Sequence, residues 1–265
     1  MDWTLYWFMF PVAIFVATSA MMSGIGGAAL FMPIYVLVFP LLGPQYPFET
    51  TVLAVIVSLI TMSFSFASGV SVYALKRQID YKLAFGFLAI SIPMAFIASM
   101  IAPFLDDRIL LTIYAVLIIG VAISIYRAKP VATQRKSGFL NRAMTGIGGF
   151  TTGAASVGIG EVVMPQLMAK QLNSERAAGT SVFVVFITVV ASSFVLGLQL
   201  IRQSNIDIPW NVICYTVPGV IIGAQIGPRL QGLIPKRRFE LAIATLFIGI
   251  AAATLIVVLK KIQTS

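Results

Sequence analysis

Stretches almost free of charge recur along this chain from end to end. They cover about residues 49–75, 83–104, 108–126, 177–201, 208–229 and 239–259. An apolar run of roughly 20 residues is long enough to cross the hydrocarbon core of a bilayer as a helix. In lipid every backbone N–H and C=O must be paired within the protein, which admits helices and closed barrels only. Helix-length runs therefore predict an all-α polytopic membrane protein, with the lipid bilayer as its first partner. Only 10% of the residues are charged, against roughly 25% in soluble domains, so no soluble domain is expected. The N-terminus carries Asp2 where a signal peptide would be basic, and it reads as part of the mature protein.

Several chemistries are excluded by what the chain lacks. There is no histidine and a single cysteine, Cys214. A haem held by His, a zinc site of His or Cys, and a dithiol electron carrier each need more than that. No Walker-type phosphate loop is present, so ATP does not drive this chain directly. No cofactor, no metal and no enzymatic activity are expected. The net charge of +9 sits mainly in short loops between spans. It reads as a topology signal rather than as a nucleic-acid surface. Cys214 reads as an apolar filler.

Two stretches break the pattern. "SGIGGAALFMP" (Ser23–Pro33) and "SVGIGEVVMP" (Ser156–Pro165) place glycines and then a proline inside apolar segments. Gly26, Met32 and Pro33 reappear at one constant spacing as Gly158, Met164 and Pro165. Further on, Thr50-Thr51 is echoed by Thr180-Ser181, Ile79-Asp80 by Ile206-Asp207, and Pro93 and Pro103 by Pro218 and Pro228. The ordered series predicts a duplicated architecture: a first transmembrane repeat at 1–126, a basic cytoplasmic linker at 127–142 and a second repeat at 143–265.

Each repeat would open on its glycine-broken segment, 3–43 or 143–168, followed by three spans. As one helix, 3–43 would run roughly 60 Å, twice the roughly 30 Å core. Residues 143–168 suffice for two short half-helices. A hairpin of short helices broken at the glycines fits both. Each repeat then has an odd number of elements, and the second inserts upside down. That inverted arrangement also gathers Lys and Arg on one side better than parallel repeats do.

Inverted repeats with broken helices are a transporter design. A half-helix that starts at the break presents unpaired N–H groups and the positive end of its dipole. Glycine lets a ligand approach the backbone, and such a start is a ready anion site. Ser23, Gly24, Gly26, Gly27 and Ala28 would line one side of a central substrate site. Ser156, Gly158 and Gly160 would line the other. Thr50, Thr51, Thr180 and Ser181, expected at span starts, would either cap those helices or donate to the anion. Gly219, Gly223 and Gly227 have the four-residue spacing of close helix packing. Pro33 and Pro165 are expected to shape short helices rather than to bind ligand, and Asp80 and Asp207 to serve as N-caps.

The paired "GIGGAALFMP" and "GIGEVVMP" motifs resemble the glycine-rich motifs of the sulfite exporter TauE/SafE family. "AAGTSVF" (Ala177–Phe183) and "PGVIIGAQIGPRL" (Pro218–Leu230) resemble the companion motifs of its second half. The resemblance spans nearly the whole chain. It implies a permease, usually in a bacterial or archaeal cytoplasmic membrane, for small sulfur-containing or organic anions. The usual run in the family is Gly-x-Gly-Gly-Gly. Here Ala28 fills the last glycine position of the first motif, Ile159 interrupts the second, and Glu161 follows Gly160.

Glu161 lies deep in an apolar segment, where an ionisable group is costly and marks a functional position. Two roles fit it. It would take up a proton together with the anion and couple transport to the proton gradient, or it would cap the half-helix start. The expected function is a secondary transporter of a small anion working by alternating access, with a passive anion channel as the alternative.

Overall fold

The structure, a computed structural model, describes residues 3–23, 28–43, 46, 48, 50–127, 138–202, 208–230 and 236–263. Among them there is no strand. Six helices are long and apolar enough to cross a membrane: α4 (Thr51–Leu75), α5 (Tyr81–Ile101, prolonged by a 3-10 turn to Phe104), α6 (Asp107–Arg127), α9 (Ser174–Arg202), α10 (Trp210–Leu230) and α11 (Lys236–Gln263). They fall on the six expected spans. The protein is an all-α polytopic membrane protein.

The glycine-broken segments are built from shorter pieces. The first holds α1 (Met9–Ser23), then α2 (Ala28–Pro33), a π-helical stretch Ile34–Val38 and α3 (Phe39–Leu42). Gly24, Gly26 and Gly27 lie outside the described residues. The second holds α7 (Gly138–Ala155) and α8 (Ile159–Ala169). At 15 and 11 residues and about 1.5 Å each, neither α1 nor α8 reaches across a core of roughly 30 Å. The helix α7 begins inside the stretch 127–142 that the sequence marks as a linker.

Pairing is interleaved between the two ends of the chain. The most extensive packings are α1 on α10, α7 on α5, α6 on α11, α5 on α9, α4 on α10 and α4 on α9. Exchanging α1 with α7, α4 with α9, α5 with α10 and α6 with α11 leaves that set unchanged. At the centre, 72% of the apolar window of α4 is buried, against 33% for α6 and α11 at the periphery. Phe85, Val116, Phe194, Ile201 and Leu259 stay exposed, as a lipid-facing surface requires. Cys214 is likewise exposed.

Close approach between helices rests on glycine. A Cβ added at Gly219 would stand 2.5 Å from the Phe10 carbonyl oxygen, and one at Gly223 would collide with that of Ile14. At Gly227 it would meet Met21 Cβ at 2.5 Å. The expected packing role of this stripe is borne out: α10 lies with its bare backbone against α1. Thr18 Oγ1 donates to the Gly223 carbonyl across the seam at 3.2 Å. A second seam was not anticipated. Gly149 and Gly153 of α7 press on the backbone of Ser91 and Ala95 in α5, with only 2.6 Å between a Cβ at Gly149 and the Ser91 oxygen.

These seams set a measurable contrast. Gly223→Ala is expected to cost about 1–3 kcal/mol by overpacking. Gly86→Ala, where nothing lies within 4 Å, is expected to be neutral or to stabilise by up to about 1 kcal/mol through helix propensity. Thermal unfolding of both variants in detergent, with the second at or above wild type and the first well below it, is the check.

Candidate functional site: the hairpin break and its cavity

Residues 138–169 form an antiparallel hairpin. Gln166 Nε2 at the far end of α8 donates to the Asn141 carbonyl (3.2 Å) and to Thr145 Oγ1 (3.3 Å) near the start of α7. At the near end, a Cβ on Gly148 would lie 3.2 Å from the Gly158 oxygen and from Ile159 Cα. The chain reverses through Ser156 at φ 57° and Gly158 at φ 131°. The second value is open to glycine and strained for other residues. That explains Gly158 without any ligand. Ser156 at a left-handed φ is a local strain that the hairpin holds in place.

A helix start leaves its first amides without intrahelical acceptors. In α8 the first intrahelical bond is donated by Val162 N to the Gly158 carbonyl at 3.2 Å. Two of the earlier amides are met from elsewhere. Ile159 N donates to Thr152 Oγ1 at 3.0 Å, and that hydroxyl in turn donates to the Gly148 carbonyl at 2.8 Å. Gly158 N donates to Glu161 Oε2 at 3.1 Å. Glu161 thus reaches back over its own helix start. That is the capping role expected as one of its two alternatives, and it leaves the other open.

Beside this start lies a cavity of about 10 Å³, lined by Thr152, Ser156 to Glu161 and, from α9, Val185 and Val189. That is room for about one water. Ser156 is 2% exposed, and its hydroxyl, on the cavity wall, has no hydrogen-bond partner. Ser156, Gly158, Gly160 and Glu161, singled out from sequence, therefore line one small cavity.

The first break is held by two buried tyrosines. Tyr73 of α4 donates to the Met21 carbonyl at 3.0 Å, in the last turn of α1. Tyr114 of α6 donates to the Ala29 carbonyl. Pro33, four residues on, has no N–H to give that carbonyl, and the tyrosine supplies the missing donor. Tyr114 is also within electrostatic range of Glu161. The side chains of Ser23 and Ala28 lie outside the described residues.

The hydroxyl pairs sit elsewhere. Thr50 is the N-cap of α4, its side chain accepting from Leu53 N at 3.3 Å. Thr51 N donates to Asp107 Oδ1 at 2.8 Å. The expectation that Thr180 and Ser181 stand at a span start is corrected: α9 begins at Ser174, well before them. Thr180 Oγ1 instead accepts from Asp80 N at 2.9 Å and donates to the Arg176 carbonyl at 2.7 Å. Asp80 caps α5 through Leu83 N at 3.1 Å, as expected. Asp207 lies outside the described residues. Neither hydroxyl pair lines the cavity.

Sequence reasoning missed Thr152, Tyr73 and Tyr114. A signal was available for the last: a proline inside a lipid-embedded helix orphans the carbonyl four residues before it and calls for a donor. Thr152 is one of two adjacent threonines a turn before the break, and an adjacent hydroxyl is a common answer to an orphaned amide.

A polytopic bundle with two interrupted helices, one of them starting beside a small cavity, is an architecture that suits a membrane permease. The model of the sulfite exporter TauE/SafE family matches residues 9–254, and the chain belongs to that family. The family is one of membrane transporters of sulfur-containing anions, not of enzymes. Comparison with curated proteins and with solved structures found no match.

Two substitutions test the architecture of the breaks. Tyr114→Phe leaves the Ala29 carbonyl buried and bare, and should lower stability by about 1–3 kcal/mol. Thr152→Val strips the Ile159 amide of its acceptor and should cost about 1 kcal/mol. Unfolding midpoints in detergent read both.

Proposed function

We propose that this protein is a secondary transporter of a small sulfur-containing or organic anion across the cytoplasmic membrane of a bacterial or archaeal cell. It works by alternating access, with the substrate at the start of α8. The observation that carries this reading is the Ser156 hydroxyl, buried without a partner on the wall of a cavity that also meets the first amides of an 11-residue helix. A hydroxyl donor and a helix N-terminus converging on one space suit an anion. Ser23, Gly24, Gly26, Gly27 and Ala28 would face the same substrate from the first break, and Thr50, Thr51, Thr180 and Ser181 would support the helices that carry it.

The division into repeats at 1–126 and 143–265, joined by 127–142 and inverted with respect to each other, belongs to the same proposal. The exchange symmetry of the helix pairings supports the duplication. A bundle whose two halves interlock in this way can rock one broken hairpin against the other around a central site. The cavity holds about one water and is walled by Val185 and Val189.

Glu161 supplies the coupling. Its carboxylate occupies the Gly158 amide, a place the substrate anion also seeks. Protonation removes the charge that would repel the anion and weakens the hold on that amide. Substrate and proton therefore enter together.

Uptake of sulfite and methanesulfonate into proteoliposomes tests the reading. Wild type should show saturable uptake, faster at lower external pH and stimulated by substrate on the far side. Glu161→Gln should flatten the pH dependence; a pH profile like that of wild type would remove the proton role. Ser156→Ala should weaken apparent affinity about fivefold to tenfold, the size of one hydrogen bond, with stability unchanged because that hydroxyl has no partner to lose.

A further inference from the structure

The α8 cavity is unusual for an anion site in the sign of its charge. Of the residues that line it, Glu161 alone is ionisable. Its carboxylate is fixed at the helix start, where Oε2 accepts from Gly158 N at 3.1 Å. The donors on offer are neutral: the Ser156 hydroxyl, buried without a partner, and the first amides of α8. Facing them from α9 are two apolar side chains, Val185 and Val189.

The surrounding segments bring no cation to this place. Residues 143–169 and 177–201 hold no Lys or Arg. Neither do residues 1–75, which include the whole first broken segment and α4. On α7, α8 and α9 the basic side chains stand at the ends, at Arg142, Lys170, Arg176 and Arg202, and all four are exposed. Lys170 caps the far end of α8, roughly 13 Å along the axis from Glu161. Its ammonium lies over the Phe87 ring, 5.3 Å from the centroid. Arg176 pairs with Asp80 at 3.6 Å. Arg142 adjoins Asn141, whose carbonyl meets Gln166 at the end of the hairpin away from the break. Arg202 ends α9, roughly 20 Å along that helix from Val189.

Charge at membrane depth is costly, and more so without a counter-charge. The site with Glu161 ionised carries one negative charge. Loaded with a proton and a singly charged anion, it still carries one. Loaded with a proton and a divalent anion, it carries two, against the roughly half positive charge of a helix start. We infer that Glu161, on a cavity wall without a cation, makes the α8 site a filter for singly charged oxyanions, such as sulfonates and hydrogensulfite, that excludes divalent anions of the same shape, such as sulfate. This rests on the anion-transport reading above. Methanesulfonate and sulfate are both tetrahedral at sulfur, and a methyl group in one replaces a charged oxygen in the other. Charge therefore sorts them where shape does not. The valine wall acts in the same direction, since it suits the methyl and leaves the extra oxygen without a donor. The cavity as it stands holds about one water, so admission of either head group requires α9 to part from α8.

The test compares methanesulfonate with sulfate at a pH of about 8, above the ordinary carboxylate range. Uptake into proteoliposomes gives KM, and the ligand-induced rise of the unfolding midpoint in detergent gives binding. For wild type, sulfate is expected to bind at least about tenfold more weakly than methanesulfonate, as like charges brought together require. Glu161→Gln keeps an oxygen for the Gly158 amide and removes the charge. It should narrow that ratio at least about threefold, because a divalent anion feels twice the repulsion of a monovalent one. Saturable uptake of both anions by wild type with KM values within about twofold overturns the filter and leaves the transport reading standing. A wild-type ratio that Glu161→Gln does not change overturns the role of Glu161. A wild type stabilised by methanesulfonate and not by sulfate, with the ratio narrowed in Glu161→Gln but no saturable uptake of either, refutes the transport reading and keeps the filter. A wild type that neither anion stabilises and that carries neither overturns both.

Discussion

Every broken helix at membrane depth must answer for the backbone groups it frees, because lipid will not pair them. The arrangement of this protein follows from how those groups are met. At the second break the hairpin answers internally: Thr152 takes the Ile159 amide and Glu161 takes that of Gly158. At the first break the answer comes from other helices, with Tyr73 of α4 on the Met21 carbonyl and Tyr114 of α6 on that of Ala29. One break is therefore self-capped, and the other is held by the bundle around it. The self-capped one carries its own carboxylate in the cap.

The short helices could not stay at depth without close neighbours, and glycine provides them. Residues 219, 223 and 227 bring α10 backbone-to-backbone with α1, and residues 149 and 153 do the same for α7 against α5. Without a hydrophobic drive between helices in lipid, such seams supply dispersion contact and fix register. Both seams join a broken segment to a span from the other end of the chain. The breaks are thereby positioned by long-range packing, and movement of a seam carries its break with it.

How much of this was legible in the sequence differs by kind of information. The six spans were readable because apolar length is a property of the residues themselves. A hairpin at 143–168 was readable because glycine and proline interrupt a run too short for two crossings, while its earlier start at Gly138 was hidden in the polar linker. The stripe Gly219-Gly223-Gly227 was readable from spacing alone. Thr180 and Ser181 were misplaced because the boundary of α9 was set by hydropathy. The polar first turn from Ser174 belongs to the helix, even though it lies outside the apolar run. Tyr73 and Tyr114 were passed over for a different reason: what they satisfy is a carbonyl on another helix, and which carbonyl a hydroxyl meets is decided by tertiary packing. The unpartnered hydroxyls of Ser156 and Ser65 were invisible for the same reason. A serine in a helix looks alike in sequence whether or not it bonds its own backbone.

Tyr114 ties these pieces together. Its hydroxyl is committed to the Ala29 carbonyl because Pro33 cannot donate there, and its position on α6 also brings it within electrostatic range of Glu161. A change of charge on Glu161 alters the field at the hydroxyl that holds the first break. In a low-dielectric interior such a change acts over several ångströms with little screening. Under the proposed mechanism, a proton arriving at the α8 start thus changes the field at the hydroxyl that meets the Ala29 carbonyl of α2. The donor that repairs the proline in one broken segment would then also feel the charge of the other.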